Sequence, residues 1–326
     1  MVRKTLISVG LVLIALAASV AITVFLVLPQ PGASSPGTSQ VRVYDTPSVT
    51  ATAHSAANPL RIQTSVAVWA NIAQAIGGRY VQAAATIHLP GQDPHSYEAT
   101  VRDQLAVNRA DLTITNGGGY DTFFQRLVAA KPTSLGAMRL TLSSHISQPG
   151  GSYNPHLWYD LGYVRALAGV IGRAEAAGFT DPAIRAEIAR RISAYQARLD
   201  LLIASQTRAS TQTAGKTVIL TEGFAARLVR NLKMTDATPQ AFRNSVEQEQ
   251  DASPKVMRQL QLLLTRHKVN ALVLNVQTSG AQTNQLAAWA TAAGVPVLRL
   301  GEVLPQHQTY LTWFSSNLNR IEAAIR

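Results

Sequence analysis

After Asp181-Pro182 the chain places apolar residues at Ile184, Ile188, Ile192, Tyr195, Leu199, Leu202 and Ile203, with no glycine or proline among them. Spacings of mostly three and four belong to one face of a helix. They predict a rigid helix of about six turns. Strand and helix patterns alternate both before it and after it. A stiff rod between two such stretches constrains the chain to an α/β protein of two lobes, each with a mainly parallel sheet flanked by helices, joined by one long helix.

In the first half, residues 61–68 read as a strand and 70–76 as a helix stopped at Gly77-Gly78. Residues 81–87 read as a strand, 100–109 as a short helix, and 111–116 as a strand ended by Gly117, Gly118 and Gly119. A helix follows over 161–177. In the second half, strands are expected at 217–220, 271–275 and 295–300, and helices at 254–266, 282–293 and 309–325. In open parallel sheets of this kind, ligands collect beyond the carboxyl ends of the strands.

Ahead of the globular body lies an uncharged apolar run, residues 6–28, preceded by Arg3 and Lys4. It exceeds the ~7–15 residues of a secretory core and reaches the ~20 needed to span a bilayer. It predicts a signal-anchor helix with the body exported, although the small residues Gly32-Ala33-Ser34 also offer a cleavage point. Residues 29–60, rich in Pro, Ser, Thr, Gly and Ala, read as a flexible tether. The lobes and the long helix then take 61–177, 211–326 and 178–210.

There is no cysteine, which excludes disulfides, thiol nucleophiles, thiolate metal sites and a lipidated N-terminal cysteine. The net charge of +11 raises the question of nucleic acid. The basic residues are scattered singletons, however, and no RNA- or DNA-binding signature is present. A basic surface facing an anionic membrane or wall fits them better than a nucleic-acid partner.

Two loops hold a histidine directly after a proline: Asp93-Pro94-His95-Ser96-Tyr97-Glu98 and Asn154-Pro155-His156-Leu157-Trp158-Tyr159-Asp160. Proline stiffens each loop, so His95 and His156 read as presented ligands. His54, His88, His145, His267 and His307 carry no such context and read as surface or satisfied residues. Thr221-Glu222-Gly223-Phe224 follows one strand of the second half, and Gly301-Glu302 follows the last. Imidazoles and carboxylates together suit Zn²⁺ or Mn²⁺. Trp158 and Asp160 read as neighbours of His156 or as core and cap, and Gln277 as a cleft residue.

These loops in this order, with Asn275-Val276-Gln277-Thr278 and Gly294-Val295-Pro296-Val297, resemble the metal-binding substrate-binding proteins of zinc/manganese ABC importers, the TroA/ZnuA/PsaA-like family. The likeness runs from about Arg61 to the C-terminus. It implies a divalent metal held between two lobes by one ligand from each of four loops: His95, His156, Glu222 and Glu302. It further implies a monomer that delivers Zn²⁺ or Mn²⁺ to an ABC permease from the extracytoplasmic face, with no enzymatic activity; the N-terminal apolar helix would be its membrane tether. Two departures stand out. The His/Asp-rich loop of many zinc-binding members is missing, since residues 145–153 hold one histidine, and there is no cysteine to lipidate. Two alternatives stay open: a zinc-dependent hydrolase, for which no His-Glu-x-x-His pattern is present, and a siderophore- or cobalamin-binding protein of the same architecture.

Overall fold

The computed structural model describes residues 54–94, 96–148, 153–248, 250–278 and 280–325. The apolar run at 6–28, most of the expected tether and His95 lie outside the described residues. Among the described residues, no helix is long and apolar enough to cross a membrane.

The chain builds two four-stranded parallel sheets. The first lobe runs β1 (Leu60–Val66), α1 (Ala67–Gly77), β2 (Val81–Ile87), α2 (Val101–Arg109), β3 (Leu112–Thr115), α3 (Thr122–Ala130), β4 (Met138–Thr141) and α4 (Leu161–Ala177). After α5 (Pro182–Thr213), the second lobe runs β5 (Thr217–Leu220), α6 (Ala226–Asn231), β6 (Thr235–Asp236), α7 (Gln240–Glu247), α8 (Pro254–Thr265), β7 (Ala271–Asn275), α9 (Ala281–Ala292), β8 (Val297–Leu300) and α10 (Tyr310–Ile325). Strand order is β2-β1-β3-β4 in one sheet and β6-β5-β7-β8 in the other. Both lobes thus share one topology, with the connection reversing direction between the first and third strands. All five residues of β7 are buried, as expected of a strand covered by helices on both faces.

Several elements depart from the sequence expectations. The first strand ends at Val66, and Ala67 and Val68 already belong to α1. The strand expected from 295 begins at Val297. The elements α3, β4, β6 and α7 were not anticipated. Each is short or weakly patterned: β4 buries only Leu140, β6 has two residues, and α7 buries only Phe242. The long helix has 32 residues rather than about six turns. At about 1.5 Å per residue it extends roughly 48 Å. Its last turns bury Gln206, Ala209, Ser210 and Thr213, small or polar residues that carry no apolar stripe.

Local chemistry fixes its ends and its seat. Asp181 caps the N-terminus by accepting from the Ala183 backbone N–H, with Pro182 in the first turn. Arg191 reaches across to donate to the carbonyls of Ile76 and Ala75, the unpaired end of α1. One continuous apolar cluster then passes from Leu60 and Ile62 through Trp158 and Tyr159 to Phe224, Trp313 and Phe314. The Tyr159 ring packs against Phe224 at 5.5 Å and Trp313 at 5.6 Å. The two lobes therefore share a core beneath the cleft between them.

Glu175 of α4 is fully buried, and neither carboxylate oxygen has a hydrogen-bond partner among the described residues. Burial holds its carboxyl well above the usual range, opposed only by the charge of Arg191. A folded-state pKa above the unfolded one means the cost of ionising Glu175 is absent below the unfolded pKa and complete above the folded one. Replacing Glu175 by Gln removes that cost. The thermal midpoint of Glu175→Gln relative to the wild type should rise between about pH 5 and about pH 8. A gap that stays flat or narrows in melts at the two pH values would contradict this placement.

Candidate metal centre between the lobes

Three of the four sequence-predicted ligands converge in the cleft. His156 is 6% exposed, and Glu222 and Glu302 are each 1% exposed. His156 follows Pro155 in the loop before α4, Glu222 lies two residues beyond β5, and Glu302 two residues beyond β8. The two glutamates thus sit at the carboxyl ends of their strands, as the parallel-sheet rule requires. His95 lies outside the described residues.

The local loop decides which nitrogen of His156 faces the cleft. Asn154 donates through Nδ2 to the Gly223 carbonyl at 2.8 Å, and its Oδ1 accepts from the His156 backbone N–H at 2.9 Å. Both partners have fixed roles, so the amide can point only one way. The same Oδ1 stands 3.0 Å from His156 Nδ1, which must therefore carry the proton. A neutral imidazole of that tautomer presents the lone pair of Nε2 to the cleft. Rings of Tyr120 and Trp158 pack edge-on against the imidazole at 5.3 and 5.5 Å.

Nε2 of His156 stands 3.0 Å from Oε2 of Glu302. At that distance a proton or a cation must lie between the two atoms. Glu302 is held from every side. Tyr120 donates to Oε2 at 2.8 Å, and Asn275 Nδ2 donates to Oε1 at 2.6 Å. The Glu302 backbone N–H donates to Gln277 Oε1 at 2.7 Å. Gln277 in turn donates through Nε2 to the Pro90 carbonyl at 2.9 Å, in the loop that follows β2.

Asn275 entered the sequence reading only as part of a strand-end motif, and its role at the site was missed. Its single NH₂ group donates to Glu302 and also to Oε1 of Glu222. Thr278 adds a second donor to Glu222 at 2.7 Å. Two buried carboxylates thus share one amide at the switch point between β5 and β7. Burial, followed by the charge of Glu302, holds the Glu222 carboxyl well above the usual range, and the Thr278 hydrogen bond offsets only part of this. A dication would relieve that strain, because its charge replaces both the lost water and the missing counter-charge. Among the described residues, no three His, Asp or Glu side chains meet as a ready cage. Glu222 joins the His156–Glu302 pair through the Asn275 amide.

Other expectations resolve simply. Trp158 is core, and Asp160 caps α4 by accepting from the Gly162 and Tyr163 backbone N–H groups. Gln277 does line the cleft and bridges the lobes. Tyr120 gave no signal beyond its place after Gly117, Gly118 and Gly119, whose φ angles of 79, 64 and 86 degrees only glycine adopts freely. That left-handed run is what turns Tyr120 toward Glu302. Truncating Asn275 should leave two buried carboxylates short of a donor, costing more than the about 1–3 kcal/mol of one neutral orphaned group. Urea unfolding of Asn275→Ala is expected to show that loss, and an unchanged midpoint would contradict the shared-amide account.

The comparisons with known proteins bear on the family and the fold. The family model for the zinc-uptake complex component A, periplasmic (ZnuA), matches residues 62–324. The periplasmic zinc binding protein TroA from Treponema pallidum superposes with a TM-score of 0.69 at 20% identity, covering 82% of this chain and 99% of TroA. FpvC from Pseudomonas aeruginosa, solved in complex with Mn²⁺, gives 0.68 at 19% identity over 82% of this chain and 98% of FpvC. The manganese-binding lipoprotein MntA of Halalkalibacterium halodurans is 29% identical over 114 residues, 34% of this chain. The matched region spans only 37% of MntA, well under half of that relative's length. At these identities the structural neighbours speak for the fold. The family match covers most of the chain, and the chain belongs to the ZnuA family of periplasmic zinc-uptake components.

Proposed function

We propose that this protein is the extracytoplasmic binding component of an ABC metal importer, which captures Zn²⁺ or Mn²⁺ between its lobes and hands it to a membrane permease. The ligands are His95 and His156 from the first lobe and Glu222 and Glu302 from the second. One observation carries the reading: Nε2 of His156 faces a buried carboxylate oxygen of the opposite lobe at 3.0 Å. Such a pair is costly without a cation. With one, it supplies adjacent nitrogen and oxygen donors at bond lengths of about 2.0–2.2 Å.

The donor set of two imidazoles and two carboxylates suits either metal. The oxygen share favours Mn²⁺, whereas intrinsic affinity favours Zn²⁺. Four protein ligands leave no open position for an activated water, which argues for carriage rather than hydrolysis. Support for limited lobe motion comes from the shared core and from α5, which links residues 61–177 to residues 211–326 as a rigid strut. Release then depends on the permease drawing a ligand loop away. The apolar run at 6–28 would tether this monomer to the membrane.

Metal content per chain tests the proposal. Wild-type protein equilibrated with Zn²⁺ or Mn²⁺ and then desalted should retain one ion. His156→Ala and Glu222→Ala should each lose affinity by about 100-fold, the ~3 kcal/mol of one ligand removed from a closed site. Stoichiometry near zero in the wild type would overturn the reading.

A further inference from the structure

The two sheets finish on the same local device. β3, paired with β1, and β7, paired with β5, hold equivalent places in their sheets. Asn275 ends β7 and Asn116 stands one residue beyond β3, and both are fully buried. Each backbone N–H donates to a hydroxyl at the end of the neighbouring strand, Asn275 to Thr221 at 3.0 Å and Asn116 to Ser65 at 3.4 Å. In the second lobe this asparagine grips two carboxylates of the metal centre. Its counterpart in the first lobe grips a backbone instead.

Asn116 is too deep to be a ligand, and its amide is fully spent. Trp69 Nε1, which can only donate, gives its proton to Oδ1 at 3.1 Å, so Nδ2 must face the other way. Nδ2 donates to the Gly117 carbonyl and to the Pro155 carbonyl, each at 3.0 Å. Pro155 immediately precedes His156, and its carbonyl also accepts from the Leu157 backbone N–H at 2.8 Å. With φ of −77 and ψ of 65 degrees at His156, that bond closes an inverse γ-turn centred on the histidine. Asn116 is itself pinned, because Asp121 accepts from its backbone N–H at 2.6 Å and from that of Gly117 at 2.9 Å. Asn154 bonds across to the second lobe through Gly223, whereas Asn116 ties the same turn to the sheet and to α1 of the first.

We infer that Asn116 is a positioning residue of the metal site: through the Pro155 carbonyl it holds the γ-turn that aims His156 Nε2 at the cargo ion. This rests on the metal-binding reading and adds what fixes its nitrogen donor in place. A three-residue turn has neither a ladder nor a helix to stiffen it, so the buried amide supplies the anchor. Imidazole nitrogen counts for more toward Zn²⁺ than toward Mn²⁺, which is well served by oxygen. A displaced His156 therefore weakens Zn²⁺ more than Mn²⁺. General loosening of the fold would weaken both alike.

Competition titrations against a chromogenic chelator give the Kd of Zn²⁺ and of Mn²⁺ for the full chain. Asn116→Asp keeps the size of the side chain and an oxygen for Trp69 but, ionised, donates nothing. Asn116→Leu is donor-free and uncharged, so it keeps the test valid should the buried charge of Asn116→Asp impair folding. Each should weaken Zn²⁺ about tenfold, the low end of the ~10–100-fold lost with a residue that orients a ligand. Mn²⁺ should weaken by about threefold or less. Ile171→Val, a buried change in α4 of the same lobe, should lower the melting midpoint and leave both constants as in the wild type. Unaltered Zn²⁺ binding in a folded Asn116 variant, an equal loss for the two ions, the same Zn²⁺-selective loss in Ile171→Val, or failure of both Asn116 variants to fold would overturn the inference. A wild type that binds neither ion would sink the metal reading instead.

Discussion

Glu302 is a carboxylate taken out of water and gripped from both lobes at once. Tyr120 and His156 reach it from the first lobe, and Asn275 and the Gln277 side chain position it from the second. Burying a charge in this way is tolerable only when its oxygens are satisfied. Every loop that supplies a partner is therefore set by that demand. The glycine run after β3 turns Tyr120 inward, Asn154 fixes the tautomer of His156, and Asn275 ends a wholly buried strand. The cleft is the place where two identical sheet topologies point their strand ends at one another.

The same arrangement ties the two lobes together beneath the cleft. Beneath the polar contacts, Tyr159, Phe224, Trp313 and Tyr310 form one apolar seam. The Tyr159 hydroxyl donates to the Gly301 carbonyl at 2.6 Å, beside Glu302, and the Tyr310 hydroxyl donates to the Trp158 carbonyl at 2.6 Å, beside His156. Wide opening would expose that seam at roughly 25 cal/mol per Å² of apolar surface. Motion confined to the ligand loops costs far less.

Much of this was legible in the sequence, for physical reasons that differ from element to element. The stripe from Ile184 to Ile203 announced the long helix because its apolar spacing was unbroken. The helix outran the stripe because Gln206, Ser210 and Thr213 pack without apolar side chains. The second Pro-His loop and the post-strand glutamates marked His156 and Glu302, which pair in the cleft, and Glu222, which reaches them through the Asn275 amide. Asn275 stood in a strand-end motif with no role attached and Tyr120 was silent, since an asparagine ending a strand and a tyrosine after glycines look ordinary until the fold brings carboxylates to them. The basic residues of the cleft were hidden as well: Arg227, Arg230 and Arg243 sit among scattered basic residues, and only α6 and α7 gather them at the cavity that His156 and Glu222 line.

The central claim is that a divalent ion bridges the two lobes through an imidazole of one and a carboxylate of the other. Anomalous diffraction at the metal edge, from crystals grown with Zn²⁺ or Mn²⁺, tests it most directly. The account predicts one strong peak within about 2.0–2.2 Å of both His156 Nε2 and a Glu302 carboxylate oxygen. A peak bound within one lobe only, or on surface residues away from this pair, would contradict it.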